Sequence, residues 1–102
     1  MQIQIDRLHK VLEARGRRRS AHYKDIQDGL FTRPIRIGRR AVGWPRHETQ
    51  AINAARVSGK SDDEIRAIVA ELHAARSDEG LTKLILADVA HGLSDNDGGA
   101  RP

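Results

Sequence analysis

Pro34-Ile35-Arg36-Ile37-Gly38-Arg39-Arg40-Ala41-Val42-Gly43-Trp44 is the stretch on which the fold turns. Its first residues alternate apolar and charged, the period of a half-buried strand, and Ala41-Val42-Gly43-Trp44 can return beside them. Gly38-Arg39-Arg40 is the turn, where Gly38 serves backbone geometry. The reading is a β-hairpin with two arginines at its tip.

Working outward, both flanks are helical. Asp6 to Ala14 places Leu8, Val11 and Leu12 on one face at helical spacing, and Gly16 ends that helix. After Arg17-Arg18-Arg19, Ser20 suits the N-cap of a second short helix that runs through Asp28 and stops at Gly29. At 100° per residue, Ile26 centres its packing face with His22 and Tyr23 at the margins, while Ala21, Lys24 and Asp28 point away. Two short helices joined at a glycine suggest helix-turn-helix, and a hairpin directly after it is a wing. Beyond the hairpin, Pro45 suits the first turn of a helix in which Ala51, Ile52 and Ala55 pack before Gly59. Ser61-Asp62-Asp63-Glu64 is a capping-box pattern, and Ile65, Ile68, Val69 and Leu72 follow at i, i+3, i+4 and i+7. Leu81 to Val89 adds a last short helix carrying Leu84, Ile85 and Leu86. The fold class expected is therefore mainly α with a short β-hairpin wing, a winged helix-turn-helix plus one or more C-terminal helices. The expected organisation is a winged domain over 1–60, a helical extension for packing or oligomerisation over 61–92, and a disordered tail over 93–102, where Ser94-Asp95-Asn96-Asp97-Gly98-Gly99 has nothing to bury.

Composition narrows the function. The 102 residues suit one small domain, and 13 of the hydrophobic residues are alanine, so the core is small. With no cysteine, a disulfide scaffold, cysteine-ligated zinc and a thiol nucleophile are excluded. No apolar run approaches the ~20 residues that cross a bilayer, and Met-Gln-Ile-Gln-Ile-Asp is no basic-then-apolar leader, so the expected location is cytoplasmic, nucleoid-associated, with no membrane partner. The net charge of +4 conceals a polarised chain: residues 1–60 hold 14 Lys/Arg against 5 Asp/Glu, and residues 61–102 hold 4 against 9. A basic half of that density favours a polyanion through counterion release. Arginine, 14 to 4 over lysine, supplies planar forks for phosphate and guanine. His9, His22, His47, His73 and His91 are dispersed, so no metal is expected. The absence of a nucleophile motif, P-loop or dinucleotide fingerprint argues against an enzyme, and no cofactor is expected.

Tyr23 followed by Gly29-Leu30-Phe31, the string Pro34 to Trp44, and Glu48 together resemble the AlpA-like family of phage and prophage regulators, a reduced MerR-type winged helix-turn-helix that includes excisionase-like proteins. The resemblance spans Gly16 to Ala55. Its continuation, Ala51-Ile52-Asn53-Ala54-Ala55-Arg56 and Gly59-Lys60-Ser61-Asp62-Asp63-Glu64-Ile65, is similar to a branch with an added C-terminal helix. Four positions depart from the family pattern: Arg17 and Arg18 replace an apolar turn residue and Ser, Asp25 replaces Leu, and Ile52 stands where a second Trp is common.

The resemblance implies that Arg18, Arg19, Ser20, Tyr23 and Lys24 lie at the DNA-facing start of the recognition helix. Helix starts of this kind enter the major groove, where Arg grips guanine O6 and N7. The wing residues Arg36, Arg39 and Arg40 would reach backbone or the adjacent minor groove. Tyr23 is open between packing and phosphate contact. Trp44 is predicted as a core plug under the wing, because a lone aromatic cannot form successive base stacks. Ile65, Ile68, Val69, Leu72, Leu84 and Ile85 are the expected oligomerisation residues. The expected function is DNA binding for a bacterial mobile element, as an excisionase-type recombination directionality factor that bends attachment-region DNA for an integrase. Its partners would be double-stranded DNA, further copies on that DNA, and the integrase. The rivals are an AlpA-like regulator at a promoter operator, and an antitoxin-type protein whose acidic half captures a basic partner.

Overall fold

The structure, a computed structural model, describes residues 2–77. The compact unit is Ile3–His73; a second unit comprises Met1–Gln2 and Ala74–Pro102, of which little is described beyond the end of the last helix. In chain order the elements are β1 (Ile5–Asp6), α1 (Leu8–Arg15), α2 (Arg19–Gln27), β2 (Ile35–Gly38), β3 (Ala41–Pro45), α3 (Arg46–Val57) and α4 (Asp62–Ala75). This is a winged helix-turn-helix.

Both helices of the helix-turn-helix end as the glycines require. At Gly16, with φ 65°, the Arg17 N–H reaches back to the Leu12 carbonyl at 3.1 Å; at Gly29, with φ 77°, the Leu30 N–H reaches the Asp25 carbonyl at 2.8 Å. Each left-handed residue closes off helical carbonyls and reverses the chain, a conformation glycine adopts without steric cost. Arg18, not Ser20, holds the N-cap position of α2, and no side chain caps it. Ser20 is exposed in the first turn.

The sheet has the order β1-β3-β2, antiparallel throughout. The hairpin is where the alternation put it: Ile35 pairs with Gly43 and Arg36 with Val42, and an irregularity before Gly38↔Ala41 leads into the Arg39-Arg40 turn. Strand β1 was not expected. It pairs Ile5 with Pro45 and Asp6 with Trp44, and the Gln4 carbonyl accepts from the Arg46 N–H at 2.7 Å. Two residues carry no periodicity of their own, and pairing to β3 is what makes them a strand. Pro45 consequently ends β3 and precedes α3 instead of lying in its first turn.

The core consists of Val11, Leu30, Phe31, Trp44, Ile52, Ala55, Ile65 and Val69, with Leu8, Ile26, Ile68 and Leu72 packed half-buried against it. Trp44 is fully enclosed and its indole N–H donates to the Thr32 carbonyl at 2.9 Å, as a core plug should. The capping box forms in both directions: the Ser61 N–H donates to Glu64 Oε1 at 2.8 Å, and the Glu64 N–H donates to Ser61 Oγ at 3.2 Å.

Helix α4 packs on the rest of its own chain. Ile65 and Val69, expected among the residues for packing or oligomerisation, are buried among the side chains of their own chain, and Ile68 and Leu72 lean on the same cluster. The compact unit runs to His73. With so few large apolar residues upstream, the core is completed from α4. Leu84, Ile85, the helix over Leu81 to Val89 and the tail lie outside the described residues.

Candidate nucleic-acid interface

The orientation of α2 is decided by charge. His22 and Asp25, not Ile26, occupy its most buried positions. Asp25 Oδ2 accepts from Arg15 Nη2 at 2.8 Å and from Arg17 Nε at 2.9 Å, and its Oδ1 accepts from Arg17 Nη2 at 2.7 Å. The side chains of Arg15 and Asp25 are 4% and 5% exposed. Burial would raise the Asp25 carboxyl, but the Arg17 and Arg15 guanidiniums together outweigh it and hold the group below the ordinary carboxylate range. The departures at Arg17 and Asp25 are thus one change: a buried carboxylate where an apolar residue is usual, answered by a guanidinium in the turn.

Arg15 connects this pair to the aromatic core. Its guanidinium lies 4.0 Å from the centroid of the Phe31 ring and donates to His22 Nδ1 at 2.7 Å. Accepting that bond fixes His22 as the tautomer protonated on Nε2. The ring stands edge-on to Trp44, 4.8 Å between centroids. Burial first, and the adjacent Arg15 charge second, push His22 down from 6.5 to about 4, with Asp25 opposing. The network ties the end of α1 to the middle of α2 and so sets the angle at which α2 is presented.

With that face inward, Arg18, Arg19, Ser20, Tyr23 and Lys24 are all exposed. Tyr23 packs and is partly open to solvent: its ring meets His22 at 5.3 Å, and 38% of the residue is exposed. Lys24 pairs with Asp28 at 3.3 Å, four residues on. On the hairpin, Arg36, Arg39 and Arg40 are exposed.

Arg33 aside, the arginines of the basic half fall into two groups. Arg15 and Arg17 are paired to Asp25, Arg46 to Asp6, and Arg56 to Asp62. Arg7, Arg18, Arg19, Arg36, Arg39 and Arg40 have no side-chain hydrogen bond or ion pair among the described residues. Five of these six are predicted DNA contacts. The sixth, Arg7, comes from the start of α1, where sequence reasoning saw only a flank. A cleft of about 540 Å3 lined by Arg7, Leu8, His9, Arg19, Arg40 and Val42 joins that start to α2 and the hairpin. Of the predicted residues it brings together Arg19 and Arg40; Arg18, Ser20, Tyr23, Lys24, Arg36 and Arg39 do not line it. Among the described residues no His, Asp or Glu cluster could hold a metal ion, and no helix is long and apolar enough to cross a membrane.

Residues 4–52 match the family model described as Prophage CP4-57 regulatory protein (AlpA). No curated protein and no solved structure matches the chain. The matched segment begins earlier than the resemblance read from sequence, at the approach to β1, and contains the complete sheet, both helices of the helix-turn-helix and the first half of α3. The match over residues 4–52 supports an AlpA-like family protein and, with it, a phage-type DNA-binding regulator.

Proposed function

We propose that this chain is an excisionase-type recombination directionality factor of a bacterial mobile element, which binds and bends attachment-region DNA for an integrase and works at the nucleoid. The observation that carries the DNA part is the set of exposed arginines on the start of α2 and on the hairpin that have no acidic partner among the described residues. Unanswered guanidiniums on two elements repel one another, and a polyanion relieves that repulsion while releasing its own counterions. In this reading the start of α2 enters the major groove and the Arg39-Arg40 tip follows the backbone into the next minor groove.

The architectural part follows from size. One short helix and one hairpin make a small footprint, so useful affinity comes from several copies on adjacent sites. Contacts among such copies would draw on the half-exposed Ile68 and Leu72, together with Leu84 and Ile85, since Ile65 and Val69 are occupied within the chain. The test is a gel-shift titration on duplexes with one site or several, each site placed at varied positions along the fragment so that bending changes mobility. Cooperative filling of attachment-region arrays with a position-dependent shift supports the proposal. Binding confined to a single promoter operator without a bend would assign the chain to transcriptional control.

A further inference from the structure

We propose that Arg7 and His9 at the start of α1 complete, with Arg19 and Arg40, a clamp for one backbone phosphate of the bound duplex. This inference rests on the DNA-binding reading above and adds to it an element that neither the recognition helix nor the wing contains. Its basis is the cleft lined by Arg7, Leu8, His9, Arg19, Arg40 and Val42.

Three observations converge on that cleft. Its three guanidiniums come from three separate elements, so only the tertiary fold assembles them, and none has an acidic partner among the described residues. The carboxylate nearest in sequence, Asp6, is fully engaged by Arg46, whose Nε donates to Oδ2 at 3.0 Å and Nη2 to Oδ1 at 2.8 Å. Three like charges gathered without a counterion favour an oxyanion, and forked guanidiniums match the paired oxygens of a phosphodiester. The remaining walls suit a nucleotide backbone as well: Leu8 and Val42 offer apolar contact for deoxyribose carbons, and the exposed His9 ring offers a donor.

The position of the cleft identifies which anion is meant. If α2 lies in the major groove and the hairpin tip in the adjacent minor groove, the sugar-phosphate strand separating those grooves passes between Arg19 and Arg40. The start of α1 lines the same cleft, so Arg7 and His9 meet that strand. Such a contact fixes how deeply and at what angle α2 is seated, and carries no base information of its own.

The experiment uses the full chain. Affinity for its selected duplex is measured against salt for the parent, Arg7→Ala and Arg7→Lys, alongside a series of duplexes in which single phosphates are replaced by neutral methylphosphonates. Circular dichroism checks the fold of each variant. Arg7→Ala should lower the slope of log affinity against log salt by about 0.9. The parent's advantage should therefore shrink roughly three- to four-fold between about 50 and 200 mM salt. Arg7→Lys should keep the slope, and in-vitro selection should return the same motif for all three proteins. One methylphosphonate position should weaken the parent more than it weakens Arg7→Ala, which still holds that phosphate through Arg19 and Arg40. Parallel slopes, with both proteins equally sensitive at every phosphate, would overturn the clamp while leaving the DNA reading in place. A parent whose affinity for duplex does not change with salt would overturn both. Inorganic phosphate at constant ionic strength is the last arm: saturable displacement of DNA from the parent, but not from Arg7→Ala, would make the cleft a free-anion site and overturn the backbone assignment.

Discussion

Replacing Asp25 by Asn removes the carboxylate that Arg15 and Arg17 share, and the two arginines differ in how well they can bear its loss. The Arg17 side chain is 43% exposed and can turn to water. Arg15 cannot: its side chain is 4% exposed, held over Phe31 and against His22. Stranding a buried charge costs about 3 to 5 kcal/mol, and the amide oxygen of Asn recovers only part of the lost hydrogen bonding. Since small domains are stable by roughly 5 to 15 kcal/mol in total, Asp25→Asn should leave the chain marginal. Arg17→Ala breaks the outer fork alone and, discounted for exposure, should cost about 1 kcal/mol. A paired change, Arg15→Met with Asp25→Leu, removes both buried charges and should fall near the parent's stability or above it. Urea unfolding followed by fluorescence of Trp44, the single tryptophan, measures these four proteins and the single changes Arg15→Met and Asp25→Leu with one buried probe. A loss below about 1 kcal/mol for Asp25→Asn, outside the range for a stranded buried charge, would refute the argument. So would a double variant as unstable as the sum of its single changes, because the coupling between the two residues would then be zero.

Three other outcomes follow. His22 should make stability fall with acidity: the unfolded side chain takes a proton near 6.5 and the folded one only near 4, so the unfolded state binds the extra proton between those values. The loss should approach about 1.4 kcal/mol per pH unit across that window. Below the ordinary carboxylate value of 3.8, Asp25 should add to the loss, since its folded value is lower still. His22→Asn, which keeps an acceptor for Arg15, should flatten the step between 6.5 and 4 in urea titrations at stepped pH; an unchanged slope would reassign it to another group. At the interface, Arg39→Ala with Arg40→Ala should weaken binding to all duplexes without unfolding, whereas Arg19→Ala, which removes a base-edge contact as well as one arm of the phosphate clamp, should relax sequence preference by roughly 1 to 3 kcal/mol at one base pair; an unaltered selected motif would leave Arg19 a phosphate contact alone. Gly43→Ala should lower the melting temperature, because a Cβ there would stand 2.6 Å from Ile5 Cγ2 and 2.9 Å from the Asp6 carbonyl, forcing β1 away from β3; an unchanged melting curve would show that β1 contributes nothing.

What the sequence by itself determined is whatever has a local cause. Gly16 and Gly29 end helices because their φ values suit glycine, the Ser61–Glu64 box caps α4 through bonds three residues apart, and the alternation from Pro34 to Trp44 sets the hairpin and its arginine tip. Trp44 was legible as core because it is the chain's largest apolar side chain and has no stacking companions. The exposure of Arg18, Arg19, Arg39 and Arg40 was legible too, since residues at a helix start and a hairpin tip are exposed by their position.

Tertiary structure alone decided the rest. Strand β1 exists by pairing with β3. The rotation of α2 follows from Asp25 and His22 going inward, which apolar periodicity cannot show, because it counts a carboxylate as surface until two arginines arrive from α1 and the turn. The stripe on α4 announced burial without naming its partner, and a core short of large side chains drew Ile65 and Val69 inward instead of leaving them for another copy. Arg7 joined Arg19 and Arg40 for the same reason: charges far apart in sequence become one site only when the sheet and helices that carry them are packed together.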